Sequence, residues 1–431
     1  MINPSSLWFL AGMLVCAGGT GTPAGPDKLS ITQAVQLALA NSPDLQAAEQ
    51  RLEAAQARVG MARSRYLPQV SFNGIAKLGL AGATNGLALL GLPASPFYRN
   101  LAEAANVNQD IFDFGRTRHA TSVARAEVEA TKQELAGTRL RVEEQARVAF
   151  LRVLSAQRVI QVRQQALRER QGVERKTQKF FQAGLSSKLA ANLAELGLRG
   201  AELAVAQARD DEQAAWAALF AALGRPEGTH YDLVEPQFTL APPDRLTSEI
   251  DRALVTRPDL RALEAELEAQ QQRVEYAQSL RHPVLLGVFS GGYARFAELT
   301  AARLMAGGLG LFAPLYTGGG LEAQVKAEQR TLAALRAQYA SRLLGVRVEV
   351  SRAHAELLKA LDSAQANQQI VAYAEEALRL AQTRYGAQLT SFVELLTAEA
   401  STEQARAEYA QALYNYQISR AHLSTAVGLE P

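Results

Sequence analysis

Three consecutive glycines, Gly318, Gly319 and Gly320, stand between an apolar run and a helical pattern in APLYTGGGLEAQV, from Ala313 to Val325. A Gly-rich turn between strand and helix can hold a phosphate on backbone amides at the helix N-terminus. That chemistry also needs a lysine beside the glycines and a buried parallel sheet, and neither is found here. Other reactive residue types are thinly spread. His119, His230, His282, His354 and His422 fall at no metal-ligand spacing. No Ser/His/Asp or Cys/His grouping suggests a nucleophile. Cys16 is the only cysteine, so an intramolecular disulfide is impossible. The residues therefore point to no enzyme, no cofactor and no metal, and the glycines need another explanation.

Composition narrows the alternatives. The chain has 431 residues and a formal net charge of +2, a near balance in which nothing points to nucleic acid. Aromatics are sparse at 6%, and long stretches rich in Ala, Leu, Arg, Gln and Glu suggest long helices. The apolar run LWFLAGMLVCA (Leu7 to Ala17) is too short to cross a bilayer as a helix, and residues 1–17 read as a secretory signal peptide. No Lys or Arg precedes that run. Cys16 is then either removed with the signal or carries a lipid; Val15 stands where a lipoprotein signal usually has Gly, Ala or Ser. The later apolar stretch from Leu78 to Phe97 is interrupted by Gly, Asn and Pro.

The chain repeats itself. ALANSPDLQAAEQRLEAAQARV (Ala38 to Val59) resembles ALVTRPDLRALEAELEAQQQRV (Ala253 to Val274), an offset of 253 − 38 = 215. Each proline starts a helix, with polar residues before it as caps. IFDFGRTRHA (Ile111 to Ala120) aligns with LYTGGGLEAQ (Leu315 to Gln324), so Gly115 meets Gly319 and the offset is 204. That offset holds for FFQAGLSSKLA (Phe180 to Ala190) against RYGAQLTSFVE (Arg384 to Glu394). The first half is longer by 215 − 204 = 11 residues, placed most simply near Ala83 to Ala102. The organisation is a first repeat over 28–224, a linker over 225–247 and a second repeat over 248–431. Each repeat reads helix, strand, loop, strand, long helix, turn, helix.

After each glycine turn, apolar residues recur at heptad spacing. Val128, Leu135, Val142, Ala146, Ala149 and Val153 are matched 204 residues later by Leu332, Tyr339, Val346, Val350, Ala353 and Leu357. A helix from Arg116 to about Phe181 would be on the order of 100 Å long and must lie along neighbours. Between the helices, Gln69 to Leu80, Ala104 to Phe114, Val284 to Tyr293 and Met305 to Tyr316 read as strands. Each is about long enough to cross a bilayer as a tilted strand. Four strands cannot close a barrel around a pore, and open edges are not tolerated in lipid. Strands in a membrane would therefore need several copies of the chain to share one barrel. Gly115, Gly318, Gly319 and Gly320 then mark where a barrel strand turns into a long helix, a junction that uses glycine's access to positive φ.

The duplicated Pro-Asp-Leu starts, the PLYTGGG junction and the two turns FFQAGLSSKL and RYGAQLTSFVELLTAEA resemble the outer-membrane efflux protein family, the TolC-like trimeric channel-tunnels. The resemblance covers nearly all of the mature chain. It implies a mainly α fold with a small membrane β-barrel: a coiled-coil α-barrel plus four β-strands per chain, in two structural repeats. It also implies a homotrimer in the outer membrane that extends through the periplasm and acts as a passive exit duct. Its partners would be a periplasmic adaptor (membrane fusion) protein and an inner-membrane pump or secretion ATPase. By the same resemblance, Phe181, Gly184, Leu185, Ser186, Leu389, Thr390 and Ser391 form adaptor-docking tips. Tyr385 and Glu394 match positions that close and ring the periplasmic aperture. The family's arginine falls on Thr390, its second acid on Thr397 and the first-half partner acid on Ala190, so these contacts are lost. Gly184-Leu185 has Gln388-Leu389 as its second copy. A periplasmic adaptor is the alternative from another class, disfavoured by two hairpins with only two strand pairs. A coiled-coil scaffold without a pore would not explain the strands.

Overall fold

The computed structural model describes residues 27–80, 97–226, 231–295, 302–387 and 389–430. The signal segment, Cys16, His230 and Gln388 lie outside them. The chain opens with strand β1 (Asp27–Leu29), then helices α1 (Ile31–Asn41) and α2 (Pro43–Arg63). Ser30 closes a capping box with Gln33 at the start of α1. Ser42 caps α2, with Pro43 at its first turn. Strands β2 (Gln69–Leu80) and β3 (Phe97–Phe112) follow, and then the long hairpin α3 (Arg116–Gln182) and α4 (Lys188–Ala222). A short strand β4 (Tyr231–Leu233) lies in the linker. The second half repeats the order with α5 (Leu246–Thr256), α6 (Pro258–Ser279), β5 (Val284–Arg295), β6 (Ala302–Phe312), α7 (Gly320–Gly386) and α8 (Phe392–Val427).

Helices α3 and α7 have 67 residues each, about 100 Å at 1.5 Å per residue. Neither buries a core alone. Helix α3 packs along α2, α4, α6 and α8, and α7 packs along α5, α6 and α8. The predicted seam is buried at Val142, Ala146, Ala149 and Val153, and at Val346, Val350, Ala353 and Leu357. The earlier seam residues Val128, Leu135, Leu332 and Tyr339 are half-buried. Two clusters carry the core. One joins α1, α3 and α4 to the paired strands β1 and β4 and to Tyr414; the other joins α5 to α8.

Several boundaries differ from the sequence reading. Strand β3 begins at Phe97, inside the stretch assigned to the longer first-half loop, and ends at Phe112. It stops because Asp113 accepts from the amides of Gly115 and Thr117, at 3.0 and 2.7 Å. Strand β6 runs from Ala302 to Phe312, not Met305 to Tyr316, and Pro314 beyond it has no amide to give a ladder. Strand β5 continues past Tyr293 to Arg295. The helix opening each repeat is two helices, broken at the proline. The second break has no side-chain cap: Arg257 grips Asp259 with both ends of its guanidinium instead. Helix α5 begins at Leu246, just before residue 248. From Tyr231 on, the linker is a structured strap. Its β4 pairs in parallel with β1. Glu235 accepts from the Tyr414 hydroxyl, and Tyr416 both accepts from and donates to the backbone of Ala241.

Candidate functional site

The wall formed by the strands has two unlike faces. The sheet order is β2-β3-β5-β6, every neighbour antiparallel. Its register puts Val70, Phe72, Ala105, Val107, Phe289, Met305, Leu309 and Leu311 on one face. Gln69, Ser71, Asn73, Asn106, Asn108 and Ser290 lie on the other. Phe72, Met305, Leu309 and Leu311 are each at least 70% exposed, so nothing among the described residues covers the apolar face there. The Phe289 ring lies over Gly307, where an added Cβ would come within 3.2 Å of it. On the polar face Ser290 donates to the Asn106 side chain at 2.8 Å. The separation is clearest on β2 and β3, while Val288 and Phe312 share the polar face and Gln109 and Arg303 the apolar one; apolar residues toward lipid and polar residues toward water mark a transmembrane barrel wall.

At the strand-to-helix end, aromatic residues gather. Phe112 and Phe114 meet edge-on at 4.7 Å, and Phe114 stacks on His282 at 5.1 Å. Phe312, Leu315 and Tyr316 are largely exposed beside them. Such a belt suits the level of lipid headgroups. Gly115 and Gly319 precede α3 and α7 with φ of 84° and 80°, and Gly318 has φ 63°. In this left-handed region a Cβ is strained, which explains the glycines without any phosphate. Gly320 is already the first residue of α7.

At the far end the two turns superpose in their bonding. The Leu185 amide donates to the Phe180 carbonyl at 2.8 Å, and the Leu389 amide to the Arg384 carbonyl at 2.9 Å. Ser187 caps α4 and Ser391 caps α8, again 204 residues apart. Gly184 takes φ 73° in the first turn. Leu185 and Leu389 are 77% and 70% exposed. Phe181 is exposed and Ser186 half-buried. Tyr385 packs near Leu378, Ala381 and Leu395, with its ring 5.8 Å from that of Phe392, and burial pushes its hydroxyl pKa up. Glu394 accepts from Thr390 and lies 3.5 Å from Arg384.

Arg384 was missed in the sequence. It stands one residue before Tyr385 and reaches the carboxylate of Glu394 across the turn. Also missed was an ionic seam between the two hairpins. Arg163 meets Glu403 at 2.7 Å and Arg170 meets Glu399 at 2.8 Å. Arg170 and Glu399 are about nine-tenths buried, and burial pushes Glu399 up although Arg170 opposes it. The heptad separation of Arg163 and Arg170 on an otherwise apolar helix face was the available signal. Of the histidines, His422 pairs with Glu144 and His119 with Gln272, while His354 reaches the carbonyl of Asp244. No cluster with metal-holding geometry occurs among the described residues.

A two-faced sheet continued by coiled-coil rods with exposed apolar tips defines an outer-membrane channel protein with a helical tunnel. The sequence model of the family described as outer membrane efflux protein matches residues 34–225 and 250–429. The chain belongs to the outer membrane efflux protein family. It is similar to the pyoverdine export outer membrane protein OpmQ of Pseudomonas putida, with 27% identity over 92% of this chain and 84% of that one. The crystal structure of the outer membrane protein VceC from Vibrio cholerae shares the fold with TM-score 0.80 at 23% identity, covering 93% and 97% of the two chains. The Campylobacter jejuni CmeC outer membrane channel does so with TM-score 0.81 at 17% identity, covering 92% and 85%. The chain is thus an outer-membrane component of an efflux system that extends into the periplasm, and the adaptor and scaffold alternatives are set aside.

Proposed function

We propose that three copies of this chain form one passive exit duct, without catalysis or cofactor, between the periplasm and the cell exterior. The observation that carries the reading is the open, two-faced sheet. Its four strands alternate in direction, so β6 of one copy meets β2 of the next in antiparallel sense, and three copies give 3 × 4 = 12 strands. Closure removes every edge and turns the apolar face to lipid. The helical layer supports the same ending. Leu189, Leu196 and Leu203 recur every seven residues along α4, each at least 60% exposed. On α7, Leu344, Val348, Tyr373 and Leu380 are also uncovered. A neighbouring copy would bury both stripes.

In this reading the tips at Phe181, Gly184, Leu185, Ser186, Leu389, Thr390 and Ser391 dock on a periplasmic adaptor protein. An inner-membrane pump or secretion ATPase supplies the substrate and the energy. Tyr385 and Glu394 border the aperture, with Arg384 beside them. The mass of the purified detergent complex tests the assembly: three chains are expected, and a monomer that conducts ions would overturn the reading.

A further inference from the structure

The two tips share one backbone turn, yet their charges differ. Beside the half-buried Glu174, the first tip has four cations between Arg175 and Lys188, namely Arg175, Lys176, Lys179 and Lys188, all exposed. None of them forms an ion pair among the described residues. Arg175 donates through Nε to the Gln171 carbonyl at 3.1 Å, and Lys176 lies 5.8 Å from the Phe180 ring centre. In sequence they flank the turn that carries the exposed side chain of Leu185. At the second tip, 204 residues on, the three lysine positions are Leu380, Thr383 and Phe392. Its two arginines are matched within the chain, Arg379 by Glu376 at 2.7 Å and Arg384 by Glu394 at 3.5 Å. The repeat has kept the turn, the serine cap and the leucine, and has put unmatched positive charge on one copy only. Like charges this close repel one another, a cost that an opposing anionic surface would offset.

We propose that the first tip is the recognition element for an acidic protein partner. The partner would be a protein surface with an apolar spot that receives Leu185 and a rim of aspartate or glutamate facing these four cations. The second tip offers its leucine without charge recognition. This deepens the reading that the tips dock and rests on it. Charges on the rim of such a contact act mainly on encounter rate and partner choice, and their effect falls as salt rises.

The test uses the full-length detergent complex and three probes. One is a soluble two-helix hairpin with an apolar tip flanked by four glutamates. Its twin carries lysines at those positions. The third is vesicles of phosphatidylglycerol. The acidic hairpin should bind and the lysine twin should not. Replacing all four cations by glutamine should weaken binding about tenfold or more and flatten its salt dependence. Trimer mass and helical circular dichroism check that this variant is assembled. Equal binding of the two hairpins, no binding of the acidic one, or cation-dependent binding of the vesicles alone would overturn the proposal. Leu185→Asp separates the two layers of the argument. If it leaves acidic-hairpin binding intact, docking through the tip is wrong. If it abolishes binding while the glutamine variant binds normally, only the charge recognition fails.

Discussion

The register of the sheet makes opposite forecasts for two adjacent residues, Phe289 and Ser290. Phe289 is the sixth residue of the 12-residue strand β5 and lies on the apolar face, paired with Val107 and Gly307. Ser290 lies on the polar face, paired with Asn106 and Ala306. An arginine on the lipid face near the bilayer midplane costs about 2–4 kcal/mol per copy, or about 6–12 kcal/mol for three copies sharing one barrel. Arginine at Ser290 would instead be hydrated in the lumen and would lose the bond to Asn106, worth about 1 kcal/mol. Phe289→Arg should therefore deplete the trimer from the outer-membrane fraction, while Phe289→Leu should not. Ser290→Arg should assemble normally and lower cation conductance in planar bilayers. The assays are detergent extraction of outer membranes with trimer bands compared before and after heating, and single-channel recording. If Ser290→Arg blocks assembly and Phe289→Arg does not, the faces are inverted and the barrel argument fails.

Three further outcomes follow from the helical part. Burial alone would raise the pKa of Asp259, but hydrogen bonds and charges from Arg257 and Arg342 hold it at about 2 against 3.8. The stabilisation is therefore present above the unfolded value and lost as pH falls through about 2. The full drop corresponds to about 2 kcal/mol, which solvent screening of a side chain 37% exposed reduces to about 1 kcal/mol. Asp259→Asn should lower the thermal midpoint in neutral detergent solution by about 1–2 °C and flatten its decline in acid; an unchanged acid limb refutes the linkage. Glu399→Leu should cost about 3 kcal/mol by stranding the buried Arg170, and Arg170→Met with Glu399→Leu should restore most of it; additive losses in a double-mutant cycle would refute coupling. Glu394→Gln should reduce cation selectivity in bilayer recordings without preventing assembly, and unchanged selectivity would remove Glu394 from the aperture.

Much of this architecture was legible because duplication left the same marks twice. The 204-residue offset located both glycine junctions, both tip turns and the matched heptads, since helix periodicity over more than sixty residues outweighs local noise. Strand ends were less legible. The start of β3 at Phe97 hid in a stretch rich in Gly, Ala and Leu that reads equally as loop or strand, and its end depends on Asp113 turning back to two amides. Strands β1 and β4 have three residues each, too short for any period, and their parallel pairing spans some two hundred residues of chain. The Arg384–Glu394 contact escaped because residue-by-residue comparison looks for the same position, whereas a carboxylate at a turn can be reached from either side. The Arg170–Glu399 pair depends on which faces of α3 and α8 meet, which neither segment specifies alone.

The two repeats also show where a duplicated fold has room to diverge. At the first junction Phe114 and Gly115 both take positive φ, 51° and 84°, and Asp113 holds the turn by accepting from the amides of Gly115 and Thr117. The equivalent residue 204 positions later is Thr317, whose backbone carbonyl accepts from Gly320 at 3.1 Å, and no side chain caps α7. The second copy keeps the same backbone turn, puts glycine where the first has Phe114, and lacks the aspartate side chain. At the helix starts Ser42 caps α2 directly, whereas Arg257 ties Asp259 to Glu349 and to the carbonyl of Ala426 at the end of α8. At the tips, unmatched cations in one copy face internally paired charges in the other. Each change leaves the backbone path intact and alters only what the local side chains can bind or hold. Of the three glycines that could have cradled a phosphate, Gly318 and Gly319 take the positive φ that Phe114 and Gly115 take in the first copy, where Asp113 also holds the turn.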